Sequence, residues 1–451
     1  MKSNFDLVKD NEKKLYLKYL APGIFGMMML AGYVFVDALC VGRALGGPGL
    51  AALNVSTPTV SLMYATGFLF ATGSSTLYSI FKGKNEGDNA RKVYSLGFIS
   101  ALCVGVIYAI LGIIFIDKIA YFLGATSNTI HMTKQYMLTI LGFAPFFILD
   151  IFMNVSARND KAPHIAMCAT IACCSINIIL DVLFVFGFNW GIFGAGIATA
   201  ISTVISFIIT FSYSLSKKSG LKLMKFVPNI KDFLRILTNG ISSFISEMSV
   251  GIVTIAFNKV ILMQIGEIGV AAYGIIANIN LIFFSIFMGN SQAMQPLVSI
   301  SYGANKFKRT FNFFKLGSIF AVTVGAIFTC ICIFFSYPLC SLFVNDTHII
   351  AVTASALKIH GLAYAIMGMN LLFDAFFYSV ERPKFAVSIS LSRALIIVLS
   401  MLFILSNLFG SIGIWMTVPV TEVTTLFIGF ILFVRYKNKQ LALNLENKQA
   451  A

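Results

Sequence analysis

Long apolar stretches dominate the chain, and short polar gaps separate them. Each stretch has roughly 20 residues or more, which is the length that a helix needs to cross a bilayer. Their apolar positions recur at a helical period or run continuously, without the alternation that lipid-facing barrel strands require. The pattern therefore predicts twelve membrane-spanning helices, at residues 15–42, 50–81, 93–116, 132–156, 163–187, 191–214, 237–263, 270–301, 316–337, 350–379, 385–406 and 412–434.

Composition supports a membrane protein. Hydrophobic residues make up 58% of the 451 residues and charged residues only 11%. Soluble domains have about 45–50% apolar and about 25% charged residues. We therefore predict an all-α polytopic membrane protein, with membrane lipids as its surroundings.

The chain repeats itself at an offset of 220 residues, since residues 265–272 (IGEIGVAA) echo residues 45–52 (LGGPGLAA). The longest internal polar stretch lies between the two copies. We predict an N-terminal six-helix lobe at 1–215, a cytoplasmic basic linker at 216–235 and a C-terminal six-helix lobe at 236–451. An even number of spans gives both lobes one orientation, so their pseudo-twofold axis should follow the membrane normal. Such parallel bundles favour a transporter with a central cavity, although a structural or enzymatic membrane protein stays an alternative.

The net charge of +15 is a signal of topology. Most Lys and Arg residues occupy alternate gaps and the two termini, from Lys2 and Lys9 to Lys439 and Lys448. Cytoplasmic loops carry such an excess, so both termini are expected in the cytoplasm and the protein in the inner or plasma membrane. We expect no nucleic-acid partner. The basic gaps fall at residues 82–92, 158–161, 217–235, 306–315 and 382–384.

Carboxylates inside the predicted spans are the main functional candidates. A charged side chain costs roughly 2.5–3.5 kcal/mol at the centre of a bilayer on insertion scales. Arg393 is a basic companion that we expect to pair with a carboxylate or with the lipid interface. The six carboxylates are Asp37, Asp150, Asp181, Glu247, Asp374 and Glu422.

Several first-half polar residues share helix faces at a spacing of four residues. These pairs are Tyr33 with Asp37, Asp150 with Asn154, and Asn177 with Asp181, and Thr199 lies in the sixth span. Their oxygens suit a hard cation such as Na+, while two close carboxylates would alternatively share a proton. For each residue, a fixed hydrogen bond between helices is the simpler alternative.

The repeat locates this chemistry in the first half. At the offset of 220, the mates of Asp37, Asn177 and Asp181 are the apolar residues Phe257, Ile397 and Met401. Asn154 keeps a polar mate, Asp374, whereas the mate of Glu247 is the apolar residue Met27. No nucleotide-binding loop, catalytic set or metal-binding cysteine spacing occurs in the sequence. We therefore expect a non-enzyme that uses an ion gradient, with no cofactor except the coupling ion.

Four sequence stretches resemble the multidrug and toxic compound extrusion (MATE) family. They are residues 35–43 (FVDALCVGR), 49–53 (GLAAL), 271–274 (AAYG) and 292–304 (QAMQPLVSISYGA). The resemblance implies a secondary antiporter, expected to be a monomer, that exports organic and often cationic amphipathic compounds in exchange for Na+ or H+. It implies rocking lobes, with cation and drug competing or alternating in the first-half lobe.

The resemblance also implies roles for individual residues. Asp37 matches the family's site aspartate, preceded by Pro22 and Tyr33, and Asp181 matches its partner. The matching cation-site residues are Asn154, Asn177 and Thr199. Glu247 resembles the glutamate of a second-half site found in other members, and Asp374 lies on the expected helix with a spacing that departs from the pattern.

Three alternatives stay open. A flippase for lipid-linked saccharides or precursors shares the fold superfamily, but it would favour several arginines in the spans, and only Arg393 qualifies. A membrane-embedded transferase would need catalytic residues at a membrane face. A channel fits two asymmetric halves with buried carboxylates less well than alternating access does.

Overall fold

The computed structural model describes residues 6–449, with side chains to residue 440, and this part of the chain contains helices and no strands. The topology prediction counted Lys2 and Lys448. Their side chains lie outside those that the structure describes. Two π-helical segments, Val182–Gly187 and Ser392–Ile396, and a 3-10 turn, Gly361–Ala363, join adjacent helices. The α-helices are α1 (Glu12–Gly83), α2 (Gly87–Ile114), α3 (Ile116–Phe122), α4 (Ile130–Gly142), α5 (Ala144–Asn159), α6 (Pro163–Asp181), α7 (Gly191–Leu215), α8 (Ile230–Gln264), α9 (Glu267–Gly303), α10 (Phe307–Phe334), α11 (Ser336–Ser341), α12 (Thr347–His360), α13 (Tyr364–Ser379), α14 (Pro383–Leu391) and α15 (Ile397–Gln449).

The helices confirm the twelve predicted spans. Among the described residues, nine helical segments are long and apolar enough to cross a membrane, and the pair α4 and α5, bent by 53°, adds a tenth. Two of the nine contain two spans each. The helix α1 breaks at Gly46, with φ of 62°, and α15 breaks at Gly410, with φ of 57°. Glycine adopts this left-handed conformation without the steric cost of a Cβ. The result is a multi-pass membrane protein with two bundles of six helices.

The repeat is visible in the backbone as well as in the sequence. Left-handed residues recur at the same offset of 220, although residues other than glycine rarely adopt this conformation. The two halves therefore share their turns as well as their helices. The paired positions are Gly46 with Gly266, Asn85 with Asn305, and Lys161 with Glu381.

The halves meet closely at the end of the bundle that carries the basic loops, called here the basic end. A Cβ on Gly83 would lie 2.2 Å from the carbonyl oxygen of Ile300, and a Cβ on Gly303 would lie 2.1 Å from that of Ile80. Gly83 and Gly303 are also mates in the repeat. Because any side chain at either position would force the helices apart, these glycines permit the contact.

Hydrogen bonds reinforce the contact between the halves at the basic end. Arg158 donates to Gln292 Oε1 at 2.6 Å, and Asn159 donates to Gln295 Oε1 at 2.9 Å. Gln295 in turn donates to Thr76 Oγ1 at 3.3 Å. These contacts close the space between the halves at the basic end.

Each half extends a segment of chain into the core of the other across this contact. Leu7 and Leu15 pack in one hydrophobic core with Phe376 of the second half. Conversely, Ile236 of α8 packs in the core of the first half. The division into lobes 1–215 and 236–451 therefore stays a prediction about which parts move together.

The segment between α7 and α8 is fixed to the first half through Asp160. The Asp160 carboxylate accepts hydrogen bonds from the Gly220 amide at 2.7 Å, Ser219 at 2.9 Å, Tyr213 at 3.0 Å and Tyr78 at 2.5 Å. Four donors on one carboxylate satisfy the charge without a cation. The linker is thus a docked segment of the first half.

We expect Asp160→Asn to release this linker, because an amide cannot accept all of these bonds and each charge-assisted bond contributes about 2 kcal/mol. The measurement is the rate of trypsin cleavage after Lys217, Lys218, Lys222 and Lys225, which should rise severalfold. Asp88→Asn is the control, since the Asp88 side chain is 86% exposed. Equal cleavage of Asp160→Asn and the unaltered protein would contradict the assignment.

Candidate functional site

Two buried carboxylates from different helices face each other in the first half. Asp37 of α1 is 8% exposed and Asp181, the last residue of α6, is fully buried. The two groups interact electrostatically, and neither forms an ion pair with a described basic residue. Asp181 stands where α6 changes to the π-helical segment Val182–Gly187, a local distortion that is frequent at functional sites.

Most oxygens of this pair, and one oxygen beside it, have no hydrogen-bond partner in the described part of the chain. Asp37 Oδ1, both Asp181 carboxylate oxygens and Asn177 Oδ1 are buried without a hydrogen-bond partner among the described residues. Asn177 donates through Nδ2 to Thr199 Oγ1 at 3.2 Å, and this bond leaves its oxygen free for a ligand. Buried oxygens without partners are costly, and a bound cation or proton would remove that cost. The structure therefore brings four predicted site residues together.

Tyrosines complete the surroundings of the pair. The predicted Tyr33 lies beside Asp37 and Tyr64, and Tyr136 of α4 faces Asp37 and Asp181. Tyr64 and Tyr136 were not predicted as site residues, because each stands in an apolar stretch of another span. No spacing rule connects such residues before the helices are packed.

Asn154 belongs to a neighbouring polar cluster instead. Its amide donates to Asp150 Oδ1 at 2.8 Å, and its oxygen accepts from Thr170 at 3.5 Å, without a hydrogen bond to Asp37 or Asp181. Pro22 is also remote. It lies 15 residues before Asp37 in α1, which corresponds to about 22 Å along a helix. The backbone at Pro22 keeps helical angles.

A cavity with a volume of about 500 Å³ lies beside the second half. Neither Asp37 nor Asp181 lines it, so the structure separates the cavity from the first-half carboxylates. Only a few first-half residues reach it. These are Phe68, Thr72, Val155 and Arg158.

The two predicted second-half residues both line this cavity but do not contact each other. Glu247 forms no hydrogen bond or ion pair with a described residue, and Asp374 accepts a hydrogen bond from Ser390 at 3.0 Å. Arg393 pairs with Glu422 at 2.8 Å, which confirms the expected carboxylate partner. Asn370 also donates to Glu422, at 2.6 Å. Glu247 is therefore the unpaired carboxylate of the cavity wall.

Arg158 was not predicted as a site residue, because its place beside Lys161 indicated a basic loop. It lies in the last turn of α5 and lines the cavity. A usable signal was present, since Arg158 follows Asn154 by four residues and Asp150 by eight. That spacing places the three residues along one helix face.

Removing Arg393 should destabilise the second half. Arg393→Met leaves Glu422, whose side chain is 3% exposed, without its cation, and breaking such buried pairs costs about 3–5 kcal/mol. We expect a lower midpoint of thermal unfolding and partial recovery in Arg393→Met with Glu422→Gln. Arg91→Met is the control, because the Arg91 side chain is 44% exposed and its pair with Asp88 contributes little. A double variant as unstable as Arg393→Met would contradict this account.

Comparison with known proteins places the chain in a family. The family model MatE matches residues 22–183 and 240–404. The multidrug export protein MepA of Staphylococcus aureus (strain bovine RF122 / ET3-1) is 27% identical over 420 residues, covering 91% of this chain and 90% of that protein.

Two solved structures share the fold at 20% identity. A MATE protein in complex with MaL6 has a TM-score of 0.93 and coverage of 98% of this chain and 100% of that one. An outward-facing multidrug resistance MATE family transporter of the MOP superfamily has a TM-score of 0.92 and coverage of 98% and 99%. With its fold and paired carboxylates in place, the chain belongs to the multidrug and toxic compound extrusion family of transporters.

Proposed function

We propose that this protein exports small organic compounds, predominantly cationic and amphipathic, in exchange for Na+ or H+. The observation that supports the proposal is the pair Asp37 and Asp181, which lies in the membrane without a described counter-ion. Such a pair gains free energy when it binds a proton or a monovalent cation. Its Asn177 and Thr199 neighbours supply further oxygen ligands. The relative MepA, named as a multidrug export protein, agrees with this direction of transport.

The cavity offers a place for the substrate. A volume of about 500 Å³ falls within the usual range for drug-sized ligands. Glu247 supplies an unpaired negative charge, and the stacked rings of Phe257 and Tyr273, with centroids 5.3 Å apart, add aromatic wall. Carboxylates and aromatic faces both attract organic cations. Substrate binding beside the second half would replace our expectation that drug and ion share the first-half lobe.

Alternating access follows from the pseudo-symmetry of the halves. Residues 1–215 and 236–451 would rock against each other around the space between them, joined by the linker at 216–235. The basic end would face the cytoplasm according to the positive-inside rule, so the described conformation would open outward. One copy of the chain contains both the carboxylate pair and the cavity, which supports a monomeric transporter in the cell membrane.

The flippase alternative gains one observation but loses its charge argument. Two arginines, Arg158 and Arg393, line the cavity, where the sequence indicated one. Arg393 is neutralised by Glu422, so Arg158 remains against two carboxylates, Glu247 and Asp374. This balance favours a cationic compound over a lipid diphosphate.

Transport should fail when either carboxylate is neutralised. We expect Asp37→Asn and Asp181→Asn each to lower substrate efflux at least tenfold, because each variant removes a charge that the coupling ion needs. The measurement is efflux of a fluorescent organic cation from proteoliposomes, with Na+ and pH gradients imposed separately. Lys218→Ala, in the linker, is the control and should keep full transport.

Full efflux in both carboxylate variants would overturn the proposed coupling site. Gradient-driven movement of a lipid-linked diphosphate, without movement of the cation, would replace the exporter with the flippase. Dependence on the Na+ gradient alone or the pH gradient alone would identify the coupling ion.

A further inference from the structure

The proposed ion site and the cavity lie in different halves, so the transport cycle needs a connection between them. This inference rests on the proposed function. Asp150, a carboxylate of α5 that belongs to neither site, lies between them. It accepts a hydrogen bond from Asn154 at 2.8 Å and forms no ion pair with a described residue. A carboxylate without a counter-ion inside the membrane costs more free energy than one hydrogen bond to an amide returns.

One side of Asp150 faces the ion site. Tyr64 of α1 interacts with Asp150 and is hydrogen-bonded to Tyr33, which itself lies beside Asp37. Cys173 and Cys174 of α6 also face Asp150, and α7 contributes the hydroxyl of Ser206. Several polar side chains thus lie between Asp37 and Asp150.

The other side of Asp150 faces the contact between the halves. Asp150 and Arg158 interact electrostatically along α5. The guanidinium of Arg158 donates to Gln292 of α9 at 2.6 Å and also lies near Tyr378 of α13, without a carboxylate of the described residues at ion-pair distance. Because arginine stays protonated in proteins, its buried charge must be balanced by a nearby negative group. Among the described carboxylates, Asp150 is the one that interacts electrostatically with Arg158.

We propose that Asp150 is a positioning residue of the transport cycle: its negative charge holds the Arg158 guanidinium against Gln292 and so keeps the basic end closed. When Asp150 takes up a proton, Arg158 loses its balancing charge and recruits water, and its bond to Gln292 breaks. The charge of Asp150 in the first half thereby controls whether the basic end is closed.

The test measures the closure itself. Spin labels are attached at Asp88→Cys and Lys308→Cys, two exposed positions that are mates in the repeat at the basic end. The exposed cysteines Cys103, Cys168 and Cys330 are replaced by serine. Electron–electron distance distributions are then recorded for the full-length protein in lipid nanodiscs, at acidic and at alkaline pH.

The parent protein should show a short distance at alkaline pH and a longer one at acidic pH. Asp150→Asn should raise the ratio of open to closed molecules roughly tenfold at alkaline pH and remove the pH dependence, a size usual for coupling between sites. Asp150→Glu should restore the pH dependence. The neutral pair Asp150→Asn with Arg158→Gln should close again, because no uncompensated charge remains.

An Asp150→Asn protein that stays as closed as its parent at both pH values would overturn the inference. The inference also fails if the neutral pair is as open as Asp150→Asn, since the effect would then be a loss of packing. The labels report closure without transport. Loss of the expected distance change with full dependence of efflux on Asp37 would therefore reject this inference alone, whereas efflux independent of Asp37 would reject the proposed function.

Discussion

The low dielectric of the membrane makes an unpaired carboxylate expensive, and the arrangement of this protein depends on that cost. The second half pairs its deepest carboxylate, Glu422, with Arg393 at 2.8 Å. The first half leaves Asp37 and Asp181 facing each other without a described cation. The Arg393 and Glu422 pair is therefore neutral as it stands, whereas we propose that the Asp37 and Asp181 pair exchanges a cation.

The glycines at the basic end bring the helices of the two halves into direct contact. Gly83 and Gly303 allow the helices of the two halves to approach until backbone touches backbone. Close packing of this kind is sensitive to small movements, because a gap of about 0.5–1 Å already loses about a quarter to a half of the contact energy. Arg158 and Gln292 place a charged hydrogen bond at the same interface, so electrostatics and packing act on one contact.

Helix number, the repeat and the carboxylates of the spans followed from the sequence because membrane burial imposes strong constraints on residue type. Helix spacing and family resemblance together predicted four residues that the structure brings close, namely Asp37, Asn177, Asp181 and Thr199. Sequence did not indicate Tyr64, Tyr136 or the role of Arg158, since these depend on how helices pack. It also did not show that Leu7 and Ile236 each join the core of the opposite half. An apolar residue reveals that it is buried but not which partner buries it.

We propose that Asp37 and Asp181 bind a cation that leaves when substrate binds. The most direct measurement adds an organic cation to purified protein in weakly buffered solution and records released protons with a pH indicator and released Na+ with an isotope. We expect release of about one cation per transporter, because two close carboxylates act as a single coupled site, and no release from Asp37→Asn. Saturable substrate binding with no release of either cation would contradict this proposal.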